Sequence, residues 1–365
     1  MPASADASSP SAPATPAAPA APAAPLARAL AALAQRQSLS ERHTAEAFGV
    51  VMRGEATSAQ LAALLMGLRV KGETAEEVAG AARALRDAMV TVEAHGAHLV
   101  DTCGTGGGTV STFNISTAAA LVAAGAGASV AKHGNRSFTS QCGSADVLEA
   151  LGVRISLDAA HAARVLREAS VTFLFAPTFH PAMKHAGPVR RELAVPSMMN
   201  LLGPLANPAG VRRQVVGVAE RDGGPLLAGA LARLGAEHAL VVHGRVGMDE
   251  IAPRGITDVW EVRAGGVTRW ELDPAEYGLA IDDVGALRGG QPGVNAQRIE
   301  RLLADGGSDR PGLAALLLNA GAAVYVAGLA DSYRAGLARA RAALEEGTGR
   351  AALERLRRVS ASTSG

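Results

Sequence analysis

Residues 101–117 read DTCGTGGGTVSTFNIST, and the fold class follows from what flanks them. A short apolar run at 98–101 leads in, and a helix is expected over 115–125 on the far side. A strand that ends in glycines and re-enters as a helix opens a β-loop-α unit. The same texture recurs downstream. Strands are expected at 128–131, 171–175, 214–218 and 239–243, and helices at 144–151, 159–168 and 226–234. Such alternation predicts a parallel or mostly parallel sheet with helices on its faces, and ligands beyond the carboxyl ends of its strands. Helices return over 311–344.

Upstream, 26–89 is helical in pattern. Thr57 with Gln60, and Thr74 with Glu77, have the spacing at which side chains satisfy the orphan amides of a helix start. Gly54 and Gly72 fall where helices should stop, and Leu61, Leu64, Leu65 and Leu68 form a core stripe. The fold class is therefore α/β. A small N-terminal helical domain (26–96) precedes a large domain (97–358) with a mostly parallel sheet flanked by helices. Residues 1–25 are Ala, Pro and Ser with one acid, Asp6, and 359–365 are polar; both read as disordered tails. The first tail has neither the basic start and apolar block of a signal peptide nor the arginines of a transit peptide.

Composition narrows the function classes. A length of 365 residues gives roughly two domains as a prior. With 42 glycines and 3% aromatics, backbone approach matters more than the stacking on which single-strand readers depend. A net charge of +1 supplies no field to gather nucleic acid or an anionic membrane. Two cysteines exclude a disulfide scaffold and fit a reducing cytoplasm. No uncharged apolar run reaches the about 18 residues of a membrane span.

Four loops at expected strand ends carry the chemistry. In 101–117, Gly104, Gly106, Gly107 and Gly108 let an anion reach backbone amides. Ser116 and Thr117 add hydroxyls at a helix N-terminus. No GK[ST] ends the motif, and Thr109 occupies the last glycine position of a dinucleotide fingerprint. A plain flexible turn is the alternative. The second loop, AKHGNRSFTSQCGSAD (131–146), packs the donors Lys132, His133, Asn135, Arg136, Ser137, Thr139 and Ser140 around Gly134. It suits a phosphorylated ligand, against the alternative of a solvated basic turn. Asp146 reads as a first-turn helix residue. In the third (175–210), the Arg190–Arg191 pair can hold a carboxylate or lie on the surface. The fourth, HGRVGMDEIAPRG (243–255), carries Asp249–Glu250, either a solvated acidic turn or the one or two carboxylates that Mg²⁺ takes beside substrate phosphates. Together they point to a diphosphate-bearing small molecule handled with Mg²⁺. Cys103 and Cys142 read as packing residues.

GTGG (104–107), TFNIST (112–117), KHGNRS (132–137), GSADVLEALG (143–152), NLLGPLANPA (200–209) and Asp249–Glu250 together resemble the anthranilate phosphoribosyltransferases of tryptophan biosynthesis, in order, from about 26 to 356. The resemblance implies a cytoplasmic homodimer that transfers the 5-phosphoribosyl group from phosphoribosyl pyrophosphate to the amine of anthranilate. It also implies that 178–208 packs on the helical domain. Around phosphoribosyl pyrophosphate it implies Gly104, Gly107, Gly108, Thr112, Asn114, Ile115, Ser116 and Thr117. From the second loop it adds Lys132, His133, Gly134, Asn135, Arg136, Ser137, Phe138, Thr139, Ser140 and Ser144. Gly104, Asn135 and Arg190 would bind anthranilate, and Ser116, Asp249 and Glu250 would hold Mg²⁺.

Gly108 stands where the family usually has Asp, and Gln141 where many members carry Lys or another polar residue. Three other readings compete: a paralogue with another aromatic acceptor, a nucleoside phosphorylase of related architecture, and a non-catalytic relative that binds nucleic acid or a partner. An arginine aimed at a carboxylate argues against a nucleobase acceptor. The near-neutral charge and the intact acidic pair argue against the non-catalytic relative.

Overall fold

The computed structural model describes residues 23–94, 96–137, 141–304 and 307–362. Four helices come first: α1 (Ala24–Ala34), α2 (Glu41–Met52), α3 (Ser58–Lys71) and α4 (Ala75–Asp87). Both expected capping boxes form. Glu77 does more than cap: its buried carboxylate also takes Lys71 Nζ at 2.9 Å and the Leu39 amide at 2.8 Å, fastening the α1–α2 and α3–α4 connections together. The tail expected over 1–25 ends earlier, because α1 begins at Ala24 with Pro25 in its first turn, where a missing amide hydrogen costs nothing. Residues 1–22 lie outside the described residues.

Seven strands form one sheet in the order β3-β2-β1-β4-β5-β6-β7. The parallel strands are β1 (Leu99–Gly104), β2 (Ser129–Gly134), β3 (Val171–Phe175), β4 (Arg213–Gly217) and β5 (His238–Gly244). Their crossovers carry α5 (Ile115–Gly125), α6 (Ser144–Ala150) and α7 (Ala159–Ala169). Between β3 and β4 come α8 (Ala176–Phe179), α9 (Gly187–Leu193) and α10 (Met199–Leu205), and α11 (Gly223–Arg233) leads to β5. Two strands absent from the sequence reading, β6 (Thr257–Arg263) and β7 (Gly266–Leu272), add an antiparallel hairpin at the edge. Its two-residue turn, Ala264–Gly265, has φ of 49° and 78°. Alanine is not a residue that announces such a turn, so the hairpin signal was weak. Asp258 on β6 is fully buried and accepts from Arg221, Arg245 and Arg269, which hold its carboxyl far below the usual range and lock the hairpin to the loops after β4 and β5.

Side chains alternate between two cores, as a sheet covered on both faces requires. Val215, Leu240, Val242 and Val259 face a core shared with α5 and α13 (Arg310–Val326). Val216, Val218, Ala239, Val241 and Trp260 face one shared with α1–α4 and α11. Ala182, Ala186, Val189, Met199, Leu202 and Leu205, from the long segment after β3, join this second core. The chain ends with α12 (Pro292–Ala304), α13, α14 (Tyr333–Glu345) and α15 (Thr348–Ala361). The second tail, expected from 359, therefore starts later. Val359 and Ser360 are buried in α15, and the Ser360 hydroxyl takes the Arg154 amide at 3.2 Å. Residues 363–365 lie outside the described residues, and no described helix is long and apolar enough to cross a membrane.

Helices α2 and α4 cross at Gly80, where an added Cβ would lie 2.3 Å from the Glu41 carbonyl oxygen. Gly80→Ala must part the two helices. It should cost about 1–3 kcal/mol, seen as a lower urea midpoint at an unchanged m-value.

Candidate active site

The sheet opens where the chemistry collects. Strands β1 and β2 pair only at Leu99–Ser129 and Val100–Val130. Beyond that point β1 pairs with β4 through Gly104, and β2 with β3 through Gly134. Side chains span the gap in place of backbone bonds. Asp101 Oδ1 accepts the His133 amide at 3.2 Å, while Lys132 Nζ donates to the Thr102 carbonyl and to Ser116 Oγ at 3.2 Å. Asn207 closes the arrangement, donating to Asp101 Oδ2 and the Ala131 carbonyl, both at 2.8 Å. Burial pushes the Asp101 carboxyl up and the Lys132 ammonium down, and their mutual attraction opposes both shifts.

At the carboxyl end of this gap lie the glycine loop and the acidic pair. Asp249 Oδ2 accepts the Gly106 amide at 3.0 Å, and Glu250 Oε2 accepts from Thr112 Oγ1 at 3.1 Å. The approach is close. A Cβ on Gly217 would fall 1.5 Å from the Asp249 carbonyl oxygen, and one on Gly104 2.7 Å from Asp249 Oδ2. Burial raises the Asp249 carboxyl, and burial together with Asp249 pushes Glu250 up to about 8. Thr102, Ser116, Asp249, Glu250 and Asn319 line a cavity of about 10 Å³, room for a single water. Among the loop's amides, those of Gly107 and Gly108 have no acceptor among the described residues. A Cβ at Gly108 would stand 3.1 Å from Asp249 Oδ1.

The third loop reaches the gap through histidines. His133 Nδ1 lies 3.2 Å from the Gly203 carbonyl, and its Nε2 lies 3.1 Å from His180 Nε2. A carbonyl only accepts, so His133 carries its proton on Nδ1 and accepts from His180. Burial lowers the two rings to about 3 and about 4. Arg190, in α9, is partly buried; among the described residues its guanidinium bonds only to Asn200 Oδ1, at 3.4 Å, and pairs with no carboxylate. No described contact joins its guanidinium to Lys132 or to the acidic pair.

The remaining expected residues divide. Ser116, Thr112, Lys132, Asp249 and Glu250 converge. Ser144 Oγ donates to the Asn135 carbonyl, folding the second loop over the first turn of α6, and the Asp146 carboxylate takes the Gly143 amide at 2.8 Å. Four of the expected residues have polar groups engaged within the fold. Arg136 is no free phosphate ligand, because Asp146 and Glu149 take its guanidinium at 2.8 and 2.6 Å. Thr117 and Ile115 are buried with their amides given to Asn114 and Phe113, while the Thr117 hydroxyl is buried without a hydrogen-bond partner among the described residues. Asn114 turns its side chain inward to Cys142 and Asn295. Phe138, Thr139 and Ser140 lie outside the described residues. Burial raises both thiols, Cys142 to about 11, in keeping with packing roles. Sequence reasoning missed Asp101, Asn207 and His180. An acid inside an apolar strand was the available signal for the first.

The helical-bundle domain of a glycosyl transferase family matches residues 27–89, and the a/b domain of that family matches 96–350. An anthranilate phosphoribosyltransferase of a Roseiflexus species is 51% identical over 330 residues, covering 90% of this chain and 96% of the relative. The chain belongs to the anthranilate phosphoribosyltransferase family. The crystal structure of the anthranilate phosphoribosyltransferase of Thermus thermophilus superimposes with a TM-score of 0.86 at 42% identity, covering 92% of this chain and 99% of that one. The Saccharomyces cerevisiae anthranilate phosphoribosyltransferase, in complex with phosphoribosyl pyrophosphate and Mg, gives 0.84 at 27% identity over 93% and 98%.

The histidine pair contributes a measurable pH dependence to stability. Unfolded imidazoles take a proton near pH 6.5, whereas the folded rings stay neutral down to about 4. For these two rings the unfolded chain binds more protons between those limits, so their contribution to stability is complete above pH 6.5 and is lost as pH falls, whereas Glu250, raised to about 8, acts in the opposite sense. The difference in thermal midpoint between the unchanged chain and His180→Gln should therefore narrow from pH 7 to 5.

Proposed function

We propose that the chain transfers the 5-phosphoribosyl group from phosphoribosyl pyrophosphate to the amine of anthranilate, releasing pyrophosphate, in tryptophan biosynthesis. One observation carries this reading: Lys132, the Ser116 hydroxyl and two carboxylates that enter no ion pair among the described residues converge beside the Gly107 and Gly108 amides, which have no acceptor among those residues, at the end of the β1–β2 gap. Cations and amide hydrogens suit a diphosphate, and the uncompensated acidic pair calls for a divalent ion. Among the described residues no third acidic, histidine or cysteine ligand joins them. That fits Mg²⁺, which binds through one or two carboxylates and completes its shell with water and substrate phosphate. Asp249, Glu250 and Ser116 would hold the ion, which supplies charge neutralisation to the diphosphate.

The chain's own groups do the rest. As the bond from ribose C1 to the diphosphate breaks, negative charge grows on the departing oxygens. Lys132 and the amides of Gly107 and Gly108 are fixed in place to receive it. The anthranilate nitrogen forms the new bond to C1 directly as the C1–O bond to the diphosphate breaks, and its proton passes to water, so no protein nucleophile is needed and positioning is the enzyme's main task. Arg190, which has no carboxylate of its own, would take that of anthranilate. Asn135 would sit between the two substrates. We further propose a cytoplasmic homodimer: Cys103 and Cys142 stay thiols rather than a disulfide, which fits a reducing compartment, and the helical domain whose core takes in α9 and α10 offers the surface for pairing.

Three measurements test these assignments. Loss of anthranilate fluorescence should require both phosphoribosyl pyrophosphate and Mg²⁺; loss without added metal would remove the acidic pair from its role. Arg190→Ala should raise the KM for anthranilate about 10- to 100-fold, the worth of a charged hydrogen bond, with much less effect on the donor's KM. Glu250→Ala should shift the Mg²⁺ titration to higher concentration, and an unmoved titration would contradict metal binding there.

A further inference from the structure

Behind the 112–117 loop lies a groove of about 440 Å³ that the reaction above does not use. Arg288, Arg298 and Arg301 line it together with Val294, Ser308 and Asp309. Of the three, one is held in an ion pair among the described residues. Arg298 is held by Asp309 through two bonds, at 2.6 and 3.0 Å, and by the carbonyls of Ala286 and Arg288. Among the described residues Arg288 and Arg301 enter no ion pair, although both are exposed and face the same cavity, and Asp309 feels Arg301 only as a nearby charge. The groove therefore carries two positive charges in excess, beside one guanidinium already fixed in orientation. Val294, 58% exposed, supplies an apolar wall.

We propose that this groove is a second anion site, shaped for a small phosphomonoester. The charge of such a ligand at neutral pH, about −1.5 to −2, balances the two unpaired guanidiniums. Planar guanidiniums with several donors match phosphate oxygens better than they match a single carboxylate. The site shares a wall with the glycine and hydroxyl loop. Arg298 stacks on the Phe113 ring at 4.4 Å, the Phe113 amide donates to the Leu287 carbonyl, and Asn295 Nδ2 donates to Asn114 Oδ1 at 2.9 Å. A ligand that draws in Arg288 and Arg301 fixes the start of α12, and through Asn295 and Arg298 it steadies the loop bearing Thr112 and Ser116. This coupling rests on the proposed role of that loop; binding in the groove does not.

Glycerol 3-phosphate is the probe, titrated into the full chain by calorimetry with the active site open and then saturated with phosphoribosyl pyrophosphate and Mg²⁺. Binding should persist under saturation. It should weaken at least about tenfold in Arg288→Gln/Arg301→Gln, since two charged hydrogen-bonding groups are lost, and return in Arg288→Lys/Arg301→Lys. Binding that vanishes under saturation, or that is equal in the glutamine variant, overturns the site. With the site occupied, the wild-type KM for phosphoribosyl pyrophosphate should fall about fivefold, the low end of common couplings. An unchanged KM with binding retained overturns the coupling.

Discussion

Much of this molecule depends on the side chains that bridge β1 and β2. Parallel strands normally satisfy each other's backbone, and here the pairing stops after two residues. A gap in a sheet leaves donors and acceptors in a low-dielectric interior, where an unmet partner costs about 1–3 kcal/mol. Asp101, Lys132 and Asn207 meet that demand by crossing the gap in both directions. Each is a polar side chain placed where a core residue would otherwise sit. Together they hold apart two strands whose ends must diverge for the glycine loop and the KHGN loop to stand on either side of a ligand.

The same arrangement explains why so little free charge is available. Lys132 is buried and bonded to a carbonyl and a hydroxyl before any ligand arrives. It is pre-oriented, which favours differential stabilisation of the departing group over simple attraction of the substrate. Arg136, by contrast, is ion-paired with two acids of α6. Its work is to hold the second loop against that helix. Two basic residues four positions apart in one motif are thus held differently, one in the gap between β1 and β2 and one against α6.

How far the sequence could be read follows from the range of each interaction. Helix starts at Thr57 and Thr74 were legible because a capping box is local, complete within four residues. The five parallel strands were legible from apolar runs bounded by glycine. The β6–β7 hairpin was not, because its turn begins with alanine and β7 carries charge along an exposed edge. In the site, residue types were legible where a loop concentrated them, as in 132–137 and 249–250. What escaped was reciprocal use: whether Arg136 or Asn114 faces outward depends on Asp146, Glu149 and Asn295, residues supplied by later elements. Asp101 escaped for a similar reason, since only the interrupted strand pairing gives a buried acid something to do.

Strand β7 is also the end of the sheet, and an open edge invites pairing with a stranger's strand. Thr268, Arg269 and Glu271 occupy it, with Arg269 drawn over its neighbour towards Asp258 and Glu271 shared between Arg245 and Arg269. An extended segment docking along this strand would have to strip water from those charged side chains. The hairpin that completes the fold thereby gives a glycine-rich, weakly charged chain a defence against aggregation at its exposed flank.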